Sequence, residues 1–193
     1  YYTMQDIEEG SPKYGRYFAI TTDNNCYLVF FRKSVFKEVG IGYDDIKTYP
    51  QCLEVFEKLR AAGYETPIEM SLKQPIWSAA NFMGMQWAAG GQVWNEDTYL
   101  PELNTIYARA ALEQLKDEFQ YCIPGCLTYS DPEIIETWIR EESVYMPHEW
   151  GNPVYTDPAY SPFADDTDCT QLVPTWPEGY RYPECGKTKA PRV

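Results

Sequence analysis

Apolar residues recur at spacings of three and four in several stretches of the chain. Cys52, Leu53, Phe56 and Leu59 do so with charged residues between them, which predicts an amphipathic helix that starts after Thr48 and ends at the Gly63 turn. Ala108, Ala111, Leu112, Leu115, Phe119 and Cys122 repeat the pattern over about four turns, with Asn104 as the cap. Ser130-Asp131-Pro132-Glu133 is a capping box with proline in the first turn, and Ile134, Ile135, Trp138 and Ile139 supply the apolar stripe behind it.

Short β-branched and aromatic runs bounded by turn residues mark the strands. One runs near Tyr17 to Ile20 and a second from Cys26 to Phe31, with a polar turn at Thr21 to Asn25 between them. Ser34 then caps a short helix that Gly40 closes. "TPIEMSL" is a further short strand, and Pro75 opens a helix expected from Ile76 to Ala89, stopping at Gly90-Gly91. "ESVYMPHEWGN" reads as a strand leading into an aromatic and polar corner. After Pro153 the texture turns to Pro, Tyr, Asp, Thr and Gly, and only "TQLVPTW" resembles a strand. Alternating strands and helices predict an α/β fold, a small, mostly parallel sheet flanked by helices.

Composition narrows the partners. The 193 residues are long enough for one domain with a core, and a formal charge of −13 with dispersed Lys and Arg repels phosphate backbones and anionic membranes, so nucleic acid is not expected. No apolar run approaches the ~18 residues that span a bilayer. The chain opens on Tyr1-Tyr2 without an initiator Met or a signal region, as a mature chain or an excised piece would. Aromatic residues make up 16%, led by 17 tyrosines, a surplus that calls for a structural or binding role.

Of the six cysteines, Cys26 and Cys52 sit in apolar segments and are expected as buried thiols. Cys122 and Cys126 flank Ile-Pro-Gly, and Cys169 and Cys185 lie in a Pro-rich region, so these four could bridge locally in an oxidising compartment. One histidine and no pair of C-x-x-C motifs argue against a zinc site. No metal or cofactor is expected.

Catalytic patterns are weak. A Ser/His/Asp arrangement would have to use His148, and no nucleophile elbow is present; a lone histidine beside a tryptophan reads as structural or ligand-contacting. Carboxylate pairs for glycoside hydrolysis could be drawn from Glu149, Asp131, Asp23 or Glu69, but so acidic a chain contains such pairs by chance. Gly90-Gly91 lacks the spacing and the lysine of a phosphate loop. Sugar binding fits better, because aromatic faces stack on C–H surfaces and planar polar groups bond hydroxyls. Trp77, Trp150, Tyr155, Gln74, Asp23, Asn24, Asn25 and Glu149 are residues of that kind. Trp87 and Trp138, at helical spacing from other apolar residues, read as core.

The order of "FAITTDNNCYLVFFRKSVFKEVGI", "KTYPQCLEVFEKLRAAGYETPIEM", "WSAANFMGMQWAAGGQVWNED", "ALEQLKDE" and "DPEIIETWIREESVYMPHEWGN" resembles the extracellular solute-binding proteins of bacterial carbohydrate ABC transporters, the maltose-binding-like group. The resemblance covers roughly residues 16 to 152. It implies that "CYLVFFRKSVF" crosses between lobes, that Thr48-Tyr49 stands where relatives carry Thr-Trp, and that Gly90-Gly91 closes an aromatic helix. Tyr145-Met146 followed by Trp150 would match the strand that ends on a ligand-facing tryptophan, although "REESVYM" lacks the usual glycine of that turn.

By the same resemblance Trp150 stacks on a sugar ring, Gln74, Ile76 and Trp77 line the cleft, and Asp23 to Asn25 sit near the hinge. Ile76 stands where many relatives place an aromatic. Residues 1–15 would lead in from a missing lobe, 16–152 would form one α/β lobe with the crossing strand, and 153–193 would return toward the hinge. At about half the family's length, this chain would hold at most half of a site that lies between two closing lobes. The function implied is non-catalytic capture of a sugar or oligosaccharide, as a monomer outside the cytoplasmic membrane, for delivery to a membrane permease. A glycoside-processing domain and an interaction module without a small ligand are the rival readings.

Overall fold

The computed structural model describes residues 3–5, 17–20, 26–95, 98–170 and 174–187. Strands β1 (Thr3–Gln5) and β2 (Tyr17–Ile20) form an antiparallel pair in which Thr3 lies opposite Ile20. The main sheet comprises β3 (Tyr27–Arg32), β4 (Tyr145–Trp150) and β5 (Thr167–Thr170), in the order β4-β3-β5. Both pairings in it are antiparallel, contrary to the parallel sheet expected. The parallel contacts that do exist are single bridges, from Ile68 to Cys122 and to Tyr145 and from Thr48 to Thr175. The "TPIEMSL" segment, expected as a strand, bridges its two neighbours at Ile68 alone.

Among the described residues, five α-helices accompany the sheet: α1 (Lys33–Val39), α2 (Tyr49–Ala61), α3 (Ile76–Ala88), α4 (Ile106–Phe119) and α5 (Asp131–Ile139). Thr48 and Gln51 form a capping box on α2, and Ser130 and Glu133 form another on α5, each with a proline in the first turn. Two expected caps differ. Arg32, not Ser34, precedes α1, and Ser34 lies inside the helix with its hydroxyl donating to Asp166 at 2.6 Å. Thr105, one position after Asn104, caps α4 by accepting from the Ala108 N–H at 3.2 Å.

Alternation along β3 divides the interior in two. Val29 and Phe31, with Tyr145 across the sheet, join Val35, Phe36, Val55, Phe56, Leu59 and Ile68 in the larger cluster. Phe30 and its partner Met146 face the other way, into a smaller cluster with Ile134, Trp138 and Tyr155. A third cluster stacks Tyr49 on Trp176, with Tyr180 and Tyr182 beside them, and accounts for part of the tyrosine surplus.

The apolar face of α4 is rotated from the one the spacing predicts. Ala108, Ala110, Ala111, Gln114 and Glu118 are buried, whereas Leu112 and Phe119 are exposed. Polar partners draw the helix round: Trp176 Nε1 donates to Gln114 Oε1 at 2.7 Å, Gln114 Nε2 donates to Glu118 Oε1 at 2.7 Å, and His148 Nε2 lies 3.3 Å from Glu118 Oε2. His148 is thus a buried member of a structural network. Cys52 is buried as expected, but Cys26 is exposed at the head of β3.

Candidate ligand-binding site

The end of β4 carries the first part of the site. Between Leu28 and Phe30 the register slips, so that Leu28 faces Glu149 while Phe30 faces Met146. The extra residue falls around Pro147 on an edge strand, where a missing N–H is tolerated, and the bulge re-aims Glu149 and Trp150. Trp150 is half-buried and opposite Tyr27, donating its Nε1–H to the Tyr27 hydroxyl at 2.9 Å. The rings meet edge to face, 6.0 Å between centroids.

Two helix starts supply the second part. Asp131 is the first residue of α5, and Trp77 stands in the first turn of α3. The Trp77 indole N–H donates to Asp131 Oδ1 and joins the two. Trp77 is half-buried, while Ile76 beside it is 58% exposed.

Glu149, next to Trp150 on β4, is 1% exposed, and no hydrogen bond of good geometry reaches either carboxylate oxygen, although the Ser71 hydroxyl is near enough to favour the charged form. Burial, with the Asp131 charge second, pushes its pKa up to about 8. Tyr27 is raised to about 12, chiefly by burial and against the Trp150 hydrogen bond, with Glu149 and Asp131 adding to the rise. These influences place Trp77, Asp131, Glu149, Tyr27 and Trp150 in one electrostatic neighbourhood. No group of three or more His, Cys, Asp or Glu among the described residues could hold a metal ion.

Gln74 is placed differently. It is exposed and lines an open groove of about 590 Å³ with Leu72, Lys73, Ser78, Leu115, Leu127 and Thr128, on the flank of α3 and α4. Neither Trp77 nor Trp150 lines that groove. Asp23, Asn24 and Asn25 lie outside the described residues. Tyr27 was not singled out from the sequence, and its one signal is its position at the head of the strand that Trp150 pairs with. The sequence reads Asp131 as part of a capping box and as a candidate catalytic carboxylate, not as the partner of Trp77.

No family model matches the chain, and no curated protein is significantly similar to it. Solved structures are similar. An ABC transporter solute-binding protein from Agrobacterium radiobacter K84, in complex with ribitol, matches 84% of this chain at 21% identity with a TM-score of 0.72. Maltose-bound MalE3 of T. maritima matches 80% at 20% identity and 0.70, and a solute-binding protein from Agrobacterium vitis S4 with bound D-mannitol matches 80% at 18% identity and 0.69. The matches cover 41%, 40% and 38% of those three chains, so this chain spans about two-fifths of their length. The fold is therefore that of part of a two-lobe ABC transporter solute-binding protein, a small sheet flanked by helices.

Proposed function

We propose that this chain supplies one wall of a receptor that binds a sugar, oligosaccharide or polyol and releases it unchanged to an ABC transporter permease. The observation that carries the reading is that Trp77, at the start of α3, and Trp150, at the end of β4, each have the indole held by an N–H partner, Asp131 and Tyr27. Fixed indoles present flat apolar faces to C–H surfaces, and the carboxylate edge of Asp131 that Trp77 leaves free would select among hydroxyl patterns. The neighbours named above hold maltose, ribitol and D-mannitol, which supports this ligand class. Ile76, Trp77 and Trp150 are the described residues assigned to ligand contact, with Asp23 to Asn25 completing the site near the hinge, while Gln74 lines the separate groove and Glu149 is buried. The receptor works as a monomer outside the cytoplasmic membrane. No helix among the described residues is long and apolar enough to cross one.

The role is non-catalytic. Glu149 has the raised pKa of a general acid, but at 1% exposure it is walled off from any glycosidic bond in a cleft. The test is a thermal-shift screen of the complete gene product against mono- and oligosaccharides and polyols. A rise in melting temperature with at least one of them, and no turnover of it, is expected. Hydrolysis of the ligand that binds would replace the receptor reading with the enzyme reading.

A further inference from the structure

Strand alternation gathers buried polar groups on one face of the sheet. In the segment 68–72, Ile68, Met70 and Leu72 enter the larger apolar cluster, so Glu69 and Ser71 point to the opposite face. Ile68 bridges Tyr145 in parallel, which lays this segment alongside β4. On β4 itself the bulge brings Glu149 opposite Leu28 and Met146 opposite Phe30. Phe30 and Met146 belong to the smaller cluster, and Leu28 packs against it. Helix α5 covers the same face. The Thr137 hydroxyl donates to Glu69 Oε2 at 2.6 Å, while the Tyr155 ring sits between Phe30, at 4.9 Å between centroids, and Trp138, at 6.1 Å. Glu69, Ser71, Glu149 and Tyr155 thus lie in the layer between sheet and helix, none of them more than 1% exposed.

Five oxygens of this layer make no hydrogen bond of good geometry: Glu69 Oε1, Ser71 Oγ, both carboxylate oxygens of Glu149 and Tyr155 Oη. Buried polar atoms in a native fold are partnered, so a concentration of free ones points to a bound water or ion. The charge decides between the two. Two of the four residues are carboxylates, and the buried cationic side chains are engaged elsewhere, Arg32 with Asp166 and Glu141, His148 with Glu118. Asp131, at the head of α5, adds a further negative charge that acts on Glu149 and Tyr155. Burial first, then the Glu149 and Glu69 charges, raise the pKa of the Tyr155 hydroxyl, which stays neutral with an oxygen lone pair to offer. Water would leave this negative charge uncompensated, whereas a cation offsets it. A set made only of oxygens, two of them on one carboxylate, suits a hard cation. The unpartnered Trp138 indole N–H is a donor only and takes no part in coordination.

We propose that Glu69, Ser71, Glu149 and Tyr155 form a buried site for a hard divalent cation of the Ca2+ class, held between the sheet and α5. The two carboxylates neutralise the divalent charge, the two hydroxyl oxygens add neutral ligands, and water completes a shell of about six to eight oxygens. The site has two acidic ligands and not three, and so depends on the hydroxyls. Both carboxyls must be ionised to bind, so the ion competes with their protons and releases them. It would tie the segment 68–72 and β4 to α5, whatever ligand the neighbouring indoles hold.

The test is the melting temperature of the EDTA-stripped chain titrated with CaCl2, against choline chloride at matched ionic strength, at pH 8 and at pH 5. A saturable rise is expected at pH 8 and a smaller one at pH 5, where protons hold the carboxyls. Glu69→Gln and Glu149→Gln keep the size of the side chain and remove its charge; each should move the midpoint to at least tenfold higher Ca2+, while Glu54→Gln, on the exposed face of α2, should respond as the wild type does. No rise beyond the choline blank would overturn the proposal. So would equal responses of the wild type and both buried variants, which would place the ion on the acidic surface. Isothermal titration with CaCl2 at pH 8, in two buffers of different ionisation enthalpy, is the second readout: heat that changes with the buffer reports the released protons, and heat independent of it would also overturn the proposal.

Discussion

The indole of Trp77, in the first turn of α3, donates its N–H to the carboxylate of Asp131, the first residue of α5, across 54 positions of sequence. One hydrogen bond thus fixes both the ring proposed to stack on a ligand and the angle between two helix starts. A carboxylate at the head of α5 also complements the positive end of that helix.

Asp131→Ala removes both contributions and should cost about 1–3 kcal/mol of unfolding free energy, the range for a charge-assisted hydrogen bond whose half-buried donor is left unmatched. Asp131→Asn keeps an oxygen for the indole and should cost less. Urea titrations of the two variants against the wild type check the order. Equal losses would mean that the charge, and not the hydrogen bond to Trp77, is what matters.

Two buried carboxyls make stability depend on pH. Glu69 and Glu149 are both raised to about 8, principally by burial, and Glu69 keeps one hydrogen bond, accepting from the Thr137 hydroxyl at 2.6 Å. The folded state then holds protons that the unfolded state, with carboxyls near 4.3, has already released. Stability is complete below the unfolded value, falls by at most about 1.4 kcal/mol per pH unit for each group as pH rises toward 8, and then levels. Glu149→Gln should therefore melt at a higher temperature than the wild type at pH 8, with the difference shrinking toward pH 5. Asp131→Asn should move the Glu149 transition to lower pH, since Asp131 contributes to the rise. Melting curves of the three proteins across this range decide it, and parallel pH profiles for wild type and Glu149→Gln would refute it.

Gly90 and Gly91 do different work. Gly90 adopts φ 98° and ends α3, whereas Gly91 lets α4 approach: a Cβ there would stand 2.4 Å from Tyr107 Cβ. Gly91→Ala should cost about 1–3 kcal/mol through overpacking. Tyr107→Ala should not rescue it, because the nearest atom is the Cβ that alanine retains. Chemical denaturation of the single and double variants tests this, and full rescue would place the clash further out on the ring.

Much of the helical framework could be read from local pattern. Thr48 with Gln51 and Ser130 with Glu133 announce α2 and α5, and Pro75 and Gly90 bound α3, because capping and turn chemistry act over three or four residues. What could not be read depends on distant partners. The face of α4 follows Trp176 and His148, which bond Gln114 and Glu118 from 62 and 30 positions away. The antiparallel sheet follows from β3 meeting β4 and β5, more than a hundred residues later in the chain, and no local period encodes that direction. The candidate site divides along the same line. Trp77 and Trp150 stand out by residue type and position at element ends, but Asp131 and Tyr27, which orient them, become visible only when the chain is folded.

Trp150 is the side chain on which the ligand reading rests most directly, and Tyr27 holds its indole at 2.9 Å. Isothermal titration of the complete gene product against mono- and oligosaccharides and polyols, run side by side with Trp150→Ala and Tyr27→Phe, tests it. The account predicts saturable heat from the wild type with at least one ligand. It predicts a loss of tenfold or more in affinity for Trp150→Ala, about 1.4 kcal/mol or above, and a smaller loss for Tyr27→Phe, which keeps the ring but not the acceptor. A folded wild type that gives no heat with any sugar or polyol, or a Trp150→Ala variant that binds as tightly as the wild type, would contradict it.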